Sequence, residues 1–489
     1  MLLSKLIENI EIIEIAYENE RWDREISSLT ADSREPLPEG LFVCLTGGKT
    51  DGHAYASEAV KNGVAAIITE RKLDQPVPQV IVKNTRVALA RLASAFYGEP
   101  SQRLKVIGIT GTNGKTTTAH MLAAALKAGG KKVGVIGTLG VSYGDKNYPS
   151  DLTTPDPVFL QKTLAEMFLY GIEYAVMEVS AHALHYHKTA GLRFVACIFT
   201  NLTQDHLDFF PTMKAYEFSK SKLFTDENCP IAILNGDDET GRKFGLLREQ
   251  ETVYYGLTTP ADAFAVITHE TLGGSECIFN INDEIARVSL SFTGRHNVYN
   301  ALAAASCATA LHIPLSAIAK GISSLKGVCG RLEKVAVYNG AEIFVDFAHT
   351  PDGLEKSLSA LKPHCEGRLV CLFGCGGNRD KSKRPLMGAA VAKKCDFAVL
   401  TSDNPRYEDP LDIIAGIEKG YRRLSMKYVV VPQRENAIAY AIDCLQKGDV
   451  LLVAGKGGES YQEIMGIKYA FNDNDIIEKI LEKRGVERS

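Results

Sequence analysis

One ten-residue segment constrains the fold of this chain more than any other. Residues 108–117 read GITGTNGKTT. The β-branched run Val106–Thr110 leads into this glycine-rich stretch, an amphipathic pattern over Thr116–Lys127 follows it, and a second apolar run covers Val133–Gly137. A strand, a glycine-rich turn, a helix and a strand in this order predict a βαβ unit within a parallel sheet.

The same segment predicts a phosphate-binding loop. Glycines let backbone N–H groups converge on a phosphate chain, the following helix begins with unpaired N–H groups, Lys115 supplies an ammonium and Thr116 a hydroxyl for a metal ion. The strict pattern would have glycine at position 109. Here Ile109 occupies it, and Gly111 lies three places before Gly114. The predicted phosphate-site residues are Gly111, Thr112, Asn113, Gly114, Lys115, Thr116 and Thr117.

Two breaks in the pattern divide the 489 residues into three predicted α/β domains. The first break is the turn at Gly98–Ser101, and the second is the segment Lys326–Gly330. We therefore expect domains over residues 1–102, 103–329 and 330–489. Short alternating runs between Thr252 and Phe292 predict an antiparallel insert in the second domain. Strands are predicted in the third domain at Ile343–Phe347, Arg368–Phe373, Phe397–Thr401 and Val450–Val453.

Composition excludes several classes of protein. Lys and Arg number 55 and Asp and Glu 59, a net charge of −4, which disfavours nucleic-acid binding through a basic surface. The eleven cysteines are single and form no CxxC pair, a pattern typical of reduced thiols. No window has the roughly 18 uninterrupted apolar residues of a membrane span. We expect a water-soluble cytoplasmic protein without a membrane span.

Polar side chains follow two further predicted strands, Tyr174–Val179 and Ala196–Thr200. Glu178 ends the first, and His206 lies shortly after the second. Ligands gather at the carboxyl ends of parallel strands, and Mg²⁺ prefers a few oxygen ligands completed by phosphate and water. Thr116 and Glu178 would suit a nucleotide-bound Mg²⁺. A zinc site at the local cluster His182, His185 and His187 is disfavoured, because the cluster lacks a partner that could activate water.

Two segments allow more than one interpretation. Asn297 precedes an alanine-rich helical stretch that ends at Leu311, and it could either cap that helix or contact a nucleotide. Residues 374–379 read GCGGNR, which resembles a dinucleotide fingerprint. However, Arg379 replaces the third glycine of that fingerprint, so this segment gives only weak support for a redox role.

Together, these motifs resemble the Mur ligases, the ATP-dependent enzymes of peptidoglycan precursor synthesis. The resemblance spans the whole chain in family order. It is carried by residues 111–116 (GTNGKT), 177–180 (MEVS), 205–208 (DHLD), 296–300 (HNVYN), 330–331 (GR) and 346–351 (DFAHTP).

The resemblance implies an α/β enzyme of three domains. It implies an N-terminal UDP-binding α/β domain, a central P-loop ATPase-like parallel sheet with a small antiparallel insert, and a C-terminal Rossmann-like domain that binds the incoming amino acid. The cofactors would be ATP and Mg²⁺. Beyond the phosphate loop, the implied nucleotide contacts are Asn297, Asn300, Arg331, Asp346 and His349.

The resemblance also implies the residues that act in the reaction. The catalytic set would be Lys115, Lys220, His206 and Glu178, and the metal ligands would be Thr116, Glu178, His206 and Lys220. Lys220 matches the lysine that the family carbamylates, which converts a cation into an anionic oxygen ligand. The implied contacts of the UDP-linked substrate are Ser33, Thr153, Thr154 and Ser180.

Residues 403–406 (DNPR) and 376–381 (GGNRDK) sharpen the resemblance to the members that add meso-diaminopimelate to UDP-N-acetylmuramoyl-L-alanyl-D-glutamate. Diaminopimelate is lysine with a further carboxylate, and a guanidinium pairs with a carboxylate through two parallel hydrogen bonds. We expect Arg406 and Arg379 to bind that carboxylate, so lysine should be rejected. The other implied amino-acid contacts are Asp403, Asn404, Pro405, Gly455 and Glu459.

The chain departs from the family pattern at three positions. Tyr186 and Lys188 stand where relatives commonly have Gln and Arg, and Gly458 stands where they usually have His. Apart from these departures, three alternatives stay open: a ligase for another amino acid, a folylpolyglutamate type of ligase, and a nucleotide-binding paralogue without catalysis. We expect a monomer.

Overall fold

The computed structural model describes residues 1–16, 22–34, 37–48 and 50–485. Up to residue 102 the elements are α1 Leu3–Leu6, β1 Ile12–Ala16, β2 Ser28–Thr30, β3 Gly40–Val43, α2 Ala56–Lys61, β4 Ala66–Thr69, β5 Gln79–Val82 and α3 Thr85–Phe96. The next elements, up to residue 329, are β6 Lys105–Thr110, α4 Lys115–Ala128, β7 Val133–Gly137, β8 Gly140–Tyr143, β9 Lys146–Tyr148, α5 Pro157–Leu169, β10 Tyr174–Glu178, α6 Ala181–His185, β11 Phe194–Phe199, α7 Met213–Ser221, β12 Ile231–Asn235, α8 Glu239–Leu246, β13 Glu251–Gly256, β14 Ala263–Thr271, β15 Gly274–Ile281, β16 Glu284–Leu290, α9 Arg295–Ala310 and α10 Leu315–Ser324. The last part contains β17 Glu333–Tyr338, β18 Ala341–Asp346, α11 Pro351–Leu361, β19 Leu369–Phe373, α12 Lys383–Lys394, β20 Phe397–Leu400, α13 Pro410–Tyr421, β21 Tyr428–Val430, α14 Arg434–Asp443, β22 Val450–Ala454, β23 Tyr461–Ile464, β24 Ile467–Ala470 and α15 Asp473–Lys483.

The chain forms two compact units that interleave in sequence. Unit one contains residues 1–108, 131–196 and 225–230, and unit two contains residues 109–130, 197–224 and 231–489. The domain limits expected near residues 102 and 329 stay predictions. Within the described ranges, no helix has the length and apolar character needed to cross a bilayer.

In unit one, a sheet of order β1-β5-β4-β3-β2 forms the amino-terminal part. Strand β1 runs antiparallel to β5, and the remaining neighbours are parallel. Helices α1 and α3 pack Leu6, Leu89 and Leu92 on one face of the sheet, and α2 packs Ala59 on the other. Burial on both faces explains why β3, β4 and β5 are continuous apolar runs.

A second sheet of unit one begins with the first residues of β6 and continues in the order β10, β7, β8, β9. Strand β10 is parallel to β7, as predicted, whereas β8 and β9 return as antiparallel strands. The sequence pattern does not predict strands β8 and β9. Their residues are few and partly polar, so they carry little hydrophobic periodicity.

In unit two, the strands that follow the phosphate loop have the order β11, β12, β13, β14, β15, β16. The antiparallel insert is confirmed for β14, β15 and β16. The prediction was wrong for β13, which is parallel to both of its neighbours. Helix α8 carries the chain back between β12 and β13, and such a crossover makes the second strand parallel.

The carboxyl-terminal sheet of unit two has the order β17-β18-β22-β19-β20-β21 and is parallel except at β17. Successive residues of β19 face opposite sides. Cys371 and Phe373 pack against α11, α12 and α13, whereas Val370 and Leu372 pack against α14 and α15. The Rossmann-like fold and its four predicted strands are confirmed, with small shifts at the strand ends.

Candidate functional site

The loop between β6 and α4 has the shape of a phosphate cradle. Gly114 is the N-cap of α4 and has φ = +89°, which favours glycine, and a Cβ at this position would collide with the Oδ1 atom of Asn300. The first intrahelical bond runs from the Thr118 N–H to the Gly114 carbonyl, 2.9 Å. The preceding N–H groups lack intrahelical acceptors, as at any helix start, and suit an anion.

Two lysines converge on one carbonyl oxygen of this loop. The Nζ atoms of Lys115 and Lys220 each donate to the Gly111 carbonyl at 2.9 Å, and Lys115 also donates to the Thr112 carbonyl at 3.0 Å. Two ammonium groups on one oxygen repel each other unless an anion joins them or one becomes neutral. The donor set therefore fits a polyphosphate.

The segment after β11 holds the loop in place. The Asn113 N–H donates to the side-chain oxygen of Asn201 at 3.0 Å, and the Asn201 amide donates back to the Asn113 carbonyl at 3.1 Å. The Thr200 hydroxyl donates to that same carbonyl at 2.6 Å, and the Thr203 N–H donates to the Thr112 hydroxyl at 3.0 Å. The end of β11 therefore lies beside the phosphate loop.

Lys220 lies on α7 and is almost fully buried. Its ammonium is 4.5 Å from the centre of the Tyr216 ring. Burial lowers the pKa of Lys220 well below its usual value, and Lys115 lowers it further against the opposing effect of Asp205. The neutral amine is therefore accessible at a position next to the phosphate loop.

His206 follows Asp205, a buried carboxylate that lies beside two imidazoles and one lysine. The Nε2 atom of His206 is 3.4 Å from Asp205, and Nε2 of His349 is 3.7 Å away. Lys383, also buried, approaches Asp205 at 3.2 Å. Burial raises the pKa of Asp205, but the neighbouring His349, Lys383 and His206 outweigh it, so the pKa lies well below its usual value.

Asn297 and Asn300 project from the first turns of α9. The helix begins at Arg295 with Gly294 as its N-cap, so the interpretation of Asn297 as the cap is wrong. The Asn297 amide instead donates to the Thr293 carbonyl at 2.9 Å, and Asn300 donates to Asn297 at 3.3 Å. Asn300 also accepts a bond from Thr118 of α4 at 3.4 Å, which connects α9 to the phosphate-loop helix.

Besides His349, two predicted nucleotide contacts follow the start of the third predicted domain. Arg331 donates from Nη2 to the Thr116 hydroxyl at 2.8 Å and stacks on the Phe347 ring at 4.3 Å. Asp346 accepts the Leu332 N–H at 2.6 Å and the Ser357 hydroxyl at 3.0 Å. The structure therefore brings Arg331 to the phosphate loop, whereas the Asp346 carboxylate orders the backbone around it.

The predicted amino-acid contacts lie at the carboxyl ends of β20 and β22. The Asn404 amide donates to Glu459 at 2.9 Å, and Lys456, whose side chain is fully buried, donates to both residues, at 3.1 Å to Asn404 and 2.9 Å to Glu459. Burial raises the pKa of Asp403, but Lys456 and Arg434 outweigh burial and lower it. These contacts fix the turn formed by residues 403–406, which includes Pro405, beside Gly455.

The two predicted carboxylate-binding arginines differ in their surroundings. Arg406 has a left-handed backbone, φ = +53°, and its side chain is 18% exposed. It donates to Glu463 at 3.0 Å and to the Gly377 carbonyl at 2.8 Å. Arg379 is 46% exposed and lies 3.8 Å from Asp208. Arg406 is therefore the more firmly held of the two.

The predicted UDP-substrate contacts belong to unit one, together with Glu178. The buried Glu178 carboxylate accepts the Thr138 N–H at 2.8 Å and its hydroxyl at 3.2 Å. The Thr138 hydroxyl is also 3.1 Å from that of Thr153. The Thr154 hydroxyl donates to the Glu178 carbonyl and accepts the Ser180 N–H, both at 2.9 Å. The structure brings Thr153, Thr154, Glu178 and Ser180 together around two strand ends.

Two of the three departures from the family pattern, Tyr186 and Lys188, have defined contacts in unit one. The Arg86 guanidinium stacks on the Tyr186 ring at 4.3 Å, and Lys188 forms an ion pair with Asp156 at 2.7 Å. Ser33, the remaining predicted contact of the UDP-linked substrate, donates from its hydroxyl to Glu58 at 2.7 Å.

Several polar residues of these networks were missed from sequence. Thr138 directly follows β7, so the rule that ligands gather at strand ends could have indicated it. Lys456 lies between the predicted contacts Gly455 and Glu459, but its complete burial has no sequence signal. Lys383 contacts Asp205 across 178 residues of sequence, a pairing that one sequence cannot reveal.

These observations define a nucleotide-binding α/β protein with a phosphate loop and a second polar cluster at the edge of a Rossmann-like sheet. Family models match three segments: "Mur ligase family, catalytic domain" at residues 25–97, "Mur ligase middle domain" at 109–308, and "Mur ligase, glutamate ligase domain" at 330–457.

Relatives match over nearly the full length. A Bacillus licheniformis protein named UDP-N-acetylmuramoyl-L-alanyl-D-glutamate–2,6-diaminopimelate ligase is 42% identical over 94% of this chain and 95% of the relative. A Caldanaerobacter subterraneus protein of the same name is also 42% identical, with the same shares covered. The chain therefore belongs to the Mur ligase family, and it is an ATP-dependent amide ligase.

Solved structures agree in fold. A structure named for UDP-N-acetylmuramoyl-L-alanyl-D-glutamate–2,6-diaminopimelate ligase has a TM-score of 0.70 at 29% identity, and both chains are covered completely. The MurF ligase of Thermotoga maritima, solved with ADP, has a TM-score of 0.66 at 23% identity over 94% of this chain and 98% of that one. At that identity, the second likeness concerns the fold alone.

Proposed function

We propose that this enzyme joins meso-diaminopimelate to the D-glutamyl γ-carboxylate of UDP-N-acetylmuramoyl-L-alanyl-D-glutamate, in peptidoglycan precursor synthesis. The names of the 42% identical relatives support the reaction. The geometric observation that carries the substrate choice is Arg406, a guanidinium held at the strand edge beside Asn404. It offers a planar donor to the distal carboxylate that distinguishes diaminopimelate from lysine.

The chemistry requires activation, because a carboxylate is a poor electrophile. Transfer of the ATP γ-phosphoryl group to the γ-carboxylate gives an acyl phosphate and ADP. The diaminopimelate amine then attacks the acyl carbon, and a tetrahedral intermediate expels phosphate while the amine loses its proton. Lys115 and the loop N–H groups offset the negative charge on the phosphoryl group during the transfer. Gly111 to Thr117, Asn297, Asn300, Arg331, Asp346 and His349 form the proposed nucleotide site.

We infer that Mg²⁺ binds beside the loop and that Lys220 is carbamylated. Thr116, His206 and a carbamate on Lys220 would offer oxygen and nitrogen ligands to the ion, and the ion would neutralise phosphate charge when bound. The burial of Lys220 supports this, because the neutral amine is the form that attacks CO₂, giving a carbamate and a proton. Glu178 belongs to unit one and keeps its metal role as a prediction.

The substrate contacts divide into two groups. For the UDP-linked substrate we propose Ser33, Thr153, Thr154, Ser180, Tyr186 and Lys188. Lys188 already pairs with Asp156, so a substrate carboxylate would have to share its ammonium. For diaminopimelate we propose Arg379, Asp403, Asn404, Pro405, Arg406, Gly455 and Glu459.

We infer a cytoplasmic monomer of three domains with limits near residues 102 and 329, acting in cell wall synthesis and through it in cell shape and division. The scattered single cysteines support a reducing compartment.

Product mass tests the proposed reaction directly. Incubation with ATP, the UDP-linked dipeptide and diaminopimelate should yield a product equal to the sum of both substrates less one water. A product containing another amino acid, offered in a mixture at equal concentration, would favour a ligase for that acceptor. Addition of glutamate to a folate in place of the UDP-linked substrate would favour a folylpolyglutamate type of ligase. The absence of any product with any acceptor would favour a non-catalytic paralogue.

A further inference from the structure

The guanidinium of Arg406 is held by two groups of the protein. Its Nε–H donates to Oε2 of Glu463 at 3.0 Å, and Nη1 donates to the Gly377 carbonyl at 2.8 Å. A guanidinium has five N–H donors, and its planar form offers a carboxylate either the Nε edge or the end formed by Nη1 and Nη2. Glu463 accepts the Nε–H and Gly377 accepts one N–H of Nη1, so the other N–H of Nη1 and the two of Nη2 are the donors that remain for a ligand at that end.

Glu463 contacts Arg406 through its backbone as well. The Arg406 N–H donates to the Glu463 carbonyl at 3.0 Å, and the Glu463 N–H donates to the side chain of Asn404 at 2.9 Å. Strand β23, which contains Glu463, is therefore joined to the turn formed by residues 403–406. The side chain and backbone of one residue thus control both the guanidinium and the chain that carries it.

The surroundings leave little room for another arrangement. A Cβ at Gly376 would lie 2.9 Å from Nη1 of Arg406, so the guanidinium packs directly against this backbone. Arg406 has a left-handed backbone, a costly conformation for a residue with a Cβ. The Glu463 side chain is 23% exposed, and an ion pair at such a site gains little stability by itself.

We propose that Glu463 is a positioning residue for substrate choice: it fixes the Arg406 guanidinium so that its Nη1–Nη2 end meets the distal carboxylate of the incoming amino acid. The inference rests on the proposed function, because it assumes that Arg406 binds that carboxylate. Glu463 itself does not touch the substrate. It acts through geometry and against simple charge attraction, because its carboxylate partly neutralises the arginine.

This opposition gives the inference a distinctive test. If Arg406 acted only as a positive charge, removal of the Glu463 carboxylate would strengthen diaminopimelate binding. If Glu463 positions the arginine, Glu463→Ala should raise the KM for diaminopimelate ~10-fold, the value of one charge-assisted hydrogen bond, and lower the preference over lysine. Glu463→Gln keeps an oxygen that accepts the Nε–H and should retain most of the preference.

Steady-state kinetics with diaminopimelate and with lysine would be measured for the wild type, Glu463→Ala and Glu463→Gln. Glu366→Gln, at an exposed residue of the same part of the chain, is the matched control, and it should leave both substrates unaffected. The KM for ATP should stay unchanged in all variants. An Arg406→Ala background adds an independent arm, because there the Glu463→Ala substitution should have no further effect on the preference.

The outcomes separate the two levels of the proposal. A wild type that does not prefer diaminopimelate overturns the proposed function. A wild type that prefers it while Glu463→Ala keeps an unchanged or lower KM overturns the positioning role. If Glu463→Ala does not fold, Glu463→Gln gives the test. The glutamine oxygen should still accept the Nε–H and keep the guanidinium in place, so a loss of preference as large as that of Arg406→Ala would overturn the positioning role.

Discussion

Lys115 and Lys220 share the carbonyl oxygen of Gly111, each at 2.9 Å. One lysine lies at the start of the phosphate-loop helix and the other is buried on α7. A buried cation next to a second cation destabilises the fold unless a ligand or a chemical modification compensates for it. The pair therefore identifies a position where function opposes stability.

Replacement of Lys220 with Met should separate the effect of this lysine on stability from its effect on turnover. Met has a similar length and no polar group to bury, so in bicarbonate-free buffer, where Lys220 carries no carbamate, we expect an unfolding midpoint equal to or above that of the wild type. Ligase turnover should fall by roughly 100-fold or more. Thermal unfolding and phosphate release measure the two effects.

Lys214→Met, at an exposed residue of the same helix, serves as the control and should leave both quantities unchanged. In ¹³C-bicarbonate, the wild type should also show a carbamate carbon resonance that Lys220→Met lacks. A Lys220→Met enzyme with normal turnover would contradict the role of this lysine.

The second prediction concerns Arg406. Arg406→Ala removes the only planar donor proposed to be firmly held at the distal carboxylate, so diaminopimelate-dependent turnover should fall by roughly 100-fold or more. ATP binding, measured by calorimetry, should survive because Arg406 is not part of the phosphate loop. Equal losses of ATP affinity and turnover would indicate a folding defect instead.

A buried ion pair lies beside the ends of β20 and β22, which carry the proposed amino-acid contacts. Arg434 and Asp473 are fully buried and joined by bonds of 2.8 and 2.7 Å, and Arg434 also donates to the Ala454 carbonyl at 2.9 Å. Arg434→Met strands the Asp473 carboxylate, so the free energy of unfolding should fall by about 3–5 kcal/mol. Denaturant titration measures it.

Lys243→Met breaks an exposed pair with Glu239 and should lower the free energy of unfolding far less than Arg434→Met does. The comparison distinguishes the effect of leaving a buried carboxylate unpaired from the effect of removing an exposed ion pair. Similar costs for both variants would contradict this account of Arg434.

Acid sensitivity should depend partly on Glu408. The hydrogen bond from Arg384 lowers the pKa of Glu408 from 4.5 to about 2. A carboxyl whose pKa is lower in the folded state stabilises the fold above its unfolded pKa, and this contribution is lost as pH falls through the folded value. Glu408→Gln should therefore unfold at a lower temperature than the wild type at neutral pH. The difference should shrink between pH 4.5 and about 2, and a constant difference across that range would contradict the assignment.

Much of the α/β architecture followed from local pattern. The phosphate loop, the strands beside it and the parallel strands of the carboxyl-terminal sheet all carry continuous apolar runs and glycine turns, which the sequence displays directly. Strand β13 was misjudged because its alternating residues resemble an antiparallel edge, while its direction is set by the crossover through α8.

For the candidate site, the sequence indicates residues but not the contacts that they make. Lys115, His206 and Arg406 stand in recognisable motifs. The residues that contact such motifs carry no such signal. Lys383 donates to Asp205, and Glu463 accepts a bond from Arg406, each from a distant part of the chain. Such pairs are produced by tertiary packing, so no local rule of spacing or composition indicates them.

Coupled phosphate release tests the central claim most directly. Purified enzyme with ATP should release phosphate only when the UDP-linked dipeptide and diaminopimelate are both present, and lysine in place of diaminopimelate should support far slower release. Absence of release with both substrates, or equal release with lysine, would contradict the account.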